Sequence, residues 1–225
     1  MLAGSSRMAL SWNFSRVKQQ TVIGIDLAGS PKRNTGMCTM RGSSIDRFAT
    51  LHTDDEILFY VAEDRPSVVA IDAPLTLPPG RRTIEDRNGQ HYRPCDRELL
   101  KRGIRFFPIT LGPMRTLTKR GMALARKLRK FRCSVIEIYP GAAQDVWNIA
   151  RKQDGLHKLL RGLRNLGVLG LAKTMNGDEL DAVTGALVGE WFVCGKTEVL
   201  GGTRHRGIVM PVPEIPKQLR KTRTS

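Results

Sequence analysis

The sequence predicts an α/β fold, on three observations. Residues 21–52 carry three short runs of strand character joined by turn residues, which reads as an antiparallel meander. A helix signal follows and then a second apolar strand, giving the order β-β-β-α-β. Beyond these come a fifth strand and several helices with one apolar face, so helices and strands share a core.

The first strand is the β-branched run of Val22, Ile23 and Ile25, and it ends on a carboxylate, Asp26. A charge at the tip of a buried strand needs a partner, so this position asks for hydrogen bonds from the following turn or for a cation. Ala28-Gly29-Ser30-Pro31 turns the chain and Gly36 opens the next strand. That is a hairpin rather than a strand-helix unit, which argues against dinucleotide binding. Residues 36–40 and 44–52 are the second and third strands, turning at Arg41-Gly42.

Thr53 with Glu56 three residues later forms a capping box, and Ile57, Leu58, Val61 and Ala62 follow at helical spacing to about Asp64. After Pro66, residues 67–72 (S-V-V-A-I-D) make a second buried strand that again closes on an acid, Asp72. An irregular loop leads to a short helix from Pro94, stopped near Gly103. A second helix spans about 116–130, with Leu117, Leu124, Ala125, Leu128 and Phe131 on one stripe. Lys119, Arg120, Arg126, Lys127 and Lys130 fall opposite, so this helix shows a basic outer face.

Residues 133–139 are the fifth strand, with Val135, Glu137 and Tyr139 on one face and Ile136 and Ile138 on the other. Helices follow at 141–151 and 156–166, and a last strong helix runs over 178–193 with Asn176 as N-cap and Glu179 completing the box. Residues 197–200 and 207–212 pair as a terminal hairpin.

The 225 residues are expected to form one domain over 21–212, with a loosely ordered leader (1–20) and a basic, Pro-containing tail (213–225). Cys38, Cys95, Cys133 and Cys194 are far apart and read as reduced cytoplasmic thiols, and the scattered histidines offer no histidine-cysteine metal site. No apolar run approaches the roughly 20 residues of a membrane span. The formal net charge is +16, and residues 101–132 hold eleven Lys or Arg, Arg115 among them, with no acid. A segment of that kind is a footprint for a polyanion, and nucleic acid, DNA or RNA, is the expected partner.

Five acids stand out: Asp26, Asp72, Glu137, Asp178 and Asp181. Each has a local explanation, such as an Asx-turn for Asp72 or the helix dipole for Asp178. Asp181 escapes it, because it lies beyond the first turn of an almost uncharged helix. If the strands are neighbours, these acids converge. Two carboxylates 4 Å apart repel by about 4 kcal/mol at an effective dielectric near 20, so a cluster needs cations. Hard divalent ions with oxygen ligands, Mg2+ or Mn2+, answer that need, and a pair of them supports phosphodiester cleavage.

The motifs G-I-D-L-A-G-S-P (24–31), A-I-D-A-P-L-T-L-P (70–78), R-P-C-D-R-E-L (93–99), E-I-Y-P (137–140) and D-E-L-D-A (178–182) resemble domain of unknown function family 429, described as predicted nucleases. The resemblance implies an RNase H-like fold. It has a mixed five-stranded sheet with the first three strands antiparallel, helices around it, and here a basic helical insertion between strands four and five. It further implies that Asp26, Asp72 and Asp181, with Asp178, are metal ligands. On a nuclease reading of the residues they hold the ions while Glu137 or Asp178 orients water. Arg97 belongs to a family motif and either touches phosphate or pairs with Asp96 or another acid. Two other readings compete: a nucleic-acid-binding protein that keeps this fold without turnover, and a small phosphotransferase of the actin and sugar-kinase superfold.

Overall fold

The computed structural model describes residues 20–202 and 206–212. The expected leader, Gln20 apart, and the expected tail lie outside the described residues. Strands β1 (Thr21–Asp26), β2 (Thr35–Arg41) and β3 (Ser44–Leu51) form the antiparallel meander. Helix α1 (Asp54–Asp64) then leads to β4 (Val68–Asp72), which lies parallel to β1 on its free side. The capping box is present, with the Thr53 hydroxyl accepting from the Glu56 amide and Glu56 accepting from Thr53 N.

Helices α2 (Pro94–Lys101) and α3 (Gly112–Leu128) fill the connection to β5 (Ser134–Glu137), which is parallel to β4. Then come α4 (Pro140–Val146), α5 (Leu156–Asn165) and α6 (Gly177–Val193), followed by β6 (Thr197–Leu200) and β7 (Ile208–Pro211). The sheet runs β3-β2-β1-β4-β5-β7-β6. It therefore has seven strands among the described residues rather than the five expected. The terminal hairpin forms as anticipated, but β7 also lies alongside β5 in parallel and extends the sheet.

Strand alternation sorts the core onto two faces. Ile23, Ile25, Val69, Ile71 and Val135 face α1 and α3, where Ile57, Leu124 and Leu128 meet them. Val22, Val68, Ala70 and Ile136 face α6, through Val188. Helix α6 is buried over most of its length, as an apolar helix with few charges must be, and it lies very close to the sheet. A Cβ on Gly24 would stand 2.1 Å from the Ala182 carbonyl oxygen, and one on Gly36 would stand 2.0 Å from that of Asp178. Glycine at these two strand positions is what lets the backbone of α6 rest on β1 and β2.

Two helix boundaries differ from expectation. Helix α3 starts earlier than residue 116 because Pro113 suits a first-turn position, and it closes in a single 3-10 turn at Arg129–Phe131 that leaves Phe131 exposed. Helix α4 stops at Val146 rather than 151, because Asn148 takes a left-handed conformation (φ 53°), one that asparagine tolerates better than most residues. The chain released there makes a 3-10 turn at Lys152–Asp154 over the carboxyl end of the sheet.

Candidate active site

Asp26 and Asp72 are register partners at the last rung of the parallel β1–β4 pair. Both share the alternation phase of Gly24 and Ala70, which turns them toward α6. Asp178 and Asp181 come from the start of α6, whose N-terminus is fixed by Asn176: its side chain accepts from Glu179 N, and Glu179 accepts from Asn176 N. Asp181 is held in turn by Gln144 of α4, whose amide donates to Asp181 Oδ1 at 2.7 Å and to the Thr184 hydroxyl at 3.1 Å.

Three of these acids meet on one atom. Lys152 Nζ lies 3.0 Å from Asp26 Oδ2, 2.9 Å from Asp178 Oδ1 and 2.9 Å from Asp181 Oδ2. Asp72 lies close enough to Asp26, Asp181 and Lys152 for their charges to bear on it. The sequence reading brings Asp26, Asp72, Asp178 and Asp181 together correctly in space, but it passed over Lys152. The one signal for it was position: a cation in the break after α4, where the chain recrosses the strand ends.

The electrostatics follow from burial. Burial pushes Asp26 up to about 6, against the pull of Lys152 and with the push of Asp181 and Asp178. Burial, then Asp26 and Asp181, hold Asp72 well above the usual carboxylate range. Burial alone would lower the Lys152 pKa, but Asp26 and Asp181 outweigh it and keep the ammonium charged. With all four carboxylates ionised, one ammonium leaves the group strongly negative.

Among the described residues, no three His, Cys, Asp or Glu side chains are placed as a ready metal-holding group. The donor chemistry nevertheless fits a hard cation. Three carboxylate oxygens already converge on one positive charge, and all are ligands of the type magnesium and manganese take.

Glu137 lies apart from this group. Its register partner on β4 is Ile71, not Asp72, so the alternation points it to the other face of the sheet. There it is 5% exposed, accepts from Leu75 N at 2.8 Å and pairs with Arg93 Nη1 at 2.8 Å. Arg93, itself 3% exposed, also grips Asp96 at 2.8 Å. Burial keeps Glu137 above the ordinary carboxylate range even so, because one guanidinium serves two buried acids.

Asp26 and Asp178 open into a cleft of about 460 Å3 in which they and Lys152 face Arg33, Met114 and Leu117. A smaller cavity of about 170 Å3, walled by Phe106, Phe107 and Ile109 and lined by Asp72 and Glu137, shares Met114 and Leu117 with it. The first turns of α3 thus wall the cleft, and the basic face of that helix leads away from it. Arg126 is exposed on that face and Lys130 in the 3-10 turn that follows it, Arg115 is half-buried, Lys119 reaches Glu85 at 3.4 Å, and Lys127 reaches Asp54 at 3.6 Å.

Arg120 departs from the expectation of an outward cation. Its side chain is 8% exposed and donates to Asp54 Oδ1, Ala28 O and His52 O at 2.9, 2.8 and 2.7 Å, tying α3 to α1 and to the turn after β1. Arg97 is exposed on α2, and Asp96 is taken by Arg93 rather than by Arg97. No helix among the described residues is long and apolar enough to cross a membrane.

Comparison with solved structures finds RuvC of Thermus thermophilus in complex with Holliday junction substrate. That match has 14% identity over 78% of this chain and 96% of that one, with a TM-score of 0.44. A second Thermus thermophilus RuvC structure matches at 13% identity over 85% and 99% of the two chains, with a TM-score of 0.45. No curated protein matches the sequence. The profile of the family described as "Protein of unknown function (DUF429)" matches residues 24–206, well over half of the chain, and the protein belongs to that family.

Proposed function

We propose that this protein is a metal-dependent nuclease that hydrolyses phosphodiester bonds of nucleic acid. The observation that carries the reading is the convergence of Asp26, Asp178 and Asp181, from β1 and the far end of the chain, on a single cation position beside Asp72. Acids are not gathered at such electrostatic cost for stability alone, since a buried like-charge group destabilises the fold unless cations offset it. Bound Mg2+ or Mn2+ would supply the Lewis acid that activates water and steadies the leaving oxygen.

The chain's own residues have distinct parts. Asp26, Asp72 and Asp181, with Asp178, hold the ions, and Asp178, the most exposed of the acids that meet Lys152, also orients the attacking water. Gln144 fixes the Asp181 carboxylate in its rotamer. Arg126, Lys130, Lys127 and Lys119 line the route by which a phosphate backbone reaches the cleft. Incubation with Mg2+ or Mn2+ and single-stranded, duplex, hybrid and branched substrates tests this, and cleavage that survives Asp26→Asn rules it out.

A second reading is favoured by Lys152 itself. An internal ammonium that already serves three acids supports a fold that binds nucleic acid without metal or turnover. Tight binding with no cutting on any substrate, and no thermal stabilisation by either ion, is the result that selects it.

A further inference from the structure

Lys152 is built into the site rather than draped over it. Its aliphatic stem runs against the first residue of α6: a Cβ on Gly177 would stand 3.1 Å from Lys152 Cδ and 3.7 Å from Lys152 Cβ. The base of the side chain is anchored too. The Arg151 amide donates to Asp154 Oδ2 at 3.0 Å, and Arg151 Nε donates to Asp145 Oδ1 at 2.9 Å, which fixes the turn to the end of α4. The tip is 2.9–3.0 Å from three carboxylates, while the side chain remains 29% exposed toward the cleft. Its surroundings therefore offer both a seat among the acids and open solvent beside it.

Magnesium binds carboxylate oxygen at about 2.0–2.1 Å and demands near-octahedral order. An ammonium shared by the same oxygens excludes it. Resting on the nuclease reading above, we infer that Lys152 is an internal counter-ion that competes with the divalent ion for Asp26, Asp178 and Asp181, so that metal uptake is an exchange rather than an addition. In the exchange the ammonium swings out on its four-carbon stem into the cleft it already lines. A cation sits among the acids in either state, and the one ammonium offsets part of their charge before any ion arrives. The same competition weakens metal binding and makes loading depend on the ambient ion concentration.

The test measures Mn2+ binding to the full chain by the loss of the free-ion paramagnetic resonance signal, for wild type and Lys152→Met. The expected result is a Kd for Mn2+ at least about tenfold lower in the variant, whose acids have lost their resident cation. An unchanged or weaker affinity overturns the inference and leaves the nuclease reading standing, whereas no Mn2+ binding by either protein removes both.

Because Lys152→Met leaves acids unpaired, a second measurement uses wild type alone. The rate at which an amine-acylating reagent modifies Lys152 is followed by mass spectrometry with and without Mn2+, with exposed Lys130 as the internal reference. Release of the ammonium raises the Lys152 rate severalfold relative to Lys130. An equal or slower rate in Mn2+ overturns the exchange.

Discussion

Asp26 of β1 and Asp72 of β4 face each other across the final rung of a parallel strand pair, so their separation is set by the sheet and not by side-chain choice. Asp26→Asn and Asp72→Asn should each lower metal-dependent cleavage by at least about 100-fold, since loss of a mere supporting hydrogen bond costs 10–100-fold at such sites. Gln144→Ala, which frees Asp181 without removing it, should fall in that smaller range. Single-turnover cleavage rates on one substrate, with folding checked by circular dichroism, measure all three.

Arg93 and Glu137 carry the opposite expectation. Both are buried, and Arg93 joins Glu137 on β5 to Asp96 on α2. Arg93→Met should cost about 3–5 kcal/mol in urea unfolding, because it strands two buried carboxylates. Glu137→Gln keeps the hydrogen bond from Leu75 N and should leave cleavage in the same order of magnitude as wild type. A collapse of cleavage in a folded Glu137→Gln protein would return Glu137 to the catalytic group.

Stability should fall between about pH 4.5 and pH 7 through Glu190. This residue of α6 is 7% exposed, and its Oε1 has no hydrogen-bond partner among the described residues. Burial raises its pKa to about 7, against the pull of the Gly42 backbone. The folded state thus binds the proton more tightly than the unfolded chain, and that advantage, complete below the unfolded pKa, is lost as pH rises through 7. Glu190→Gln should match wild type near pH 4 and exceed it near pH 8 by up to about 3 kcal/mol, read from urea midpoints across pH.

The basic helix divides into two kinds of cation. Arg126→Ala with Lys130→Ala should weaken nucleic-acid binding evenly across sequences and reduce the salt slope by about 2, with the melting temperature unchanged. Arg120→Ala should do the reverse, lowering stability through the lost bonds to Asp54, Ala28 and His52. Salt-dependent fluorescence anisotropy and thermal melts separate the two.

Much of the site was legible because its acids sit where local rules place them. Asp26 and Asp72 close short apolar strands, and Asp181 stands beyond the dipole's reach in an apolar helix, so each was conspicuous in the sequence. The alternation that separates Glu137 from them was also visible, since Val135 and Glu137 share a phase. What sets that phase against Asp72 is the register of β4 with β5, and register is a tertiary fact. Lys152 and Arg120 were hidden for a similar reason: a lysine in a basic turn and an arginine on a basic stripe look like solvated charges until the fold supplies their partners. The extra strands were foreseen as a hairpin, but nothing local said that β7 would dock on β5.

The place of β1 and β4 in the strand order has one more consequence. With β3 and β2 on one side and β5, β7 and β6 on the other, both acid-bearing strands lie in the interior of the sheet. Amide protons of interior strands exchange only when the whole domain opens, while those of outer strands leave by local fraying. The margin of the molecule can therefore breathe, and the hairpin at its end can peel away and return, without the carboxylate geometry ever being dismantled.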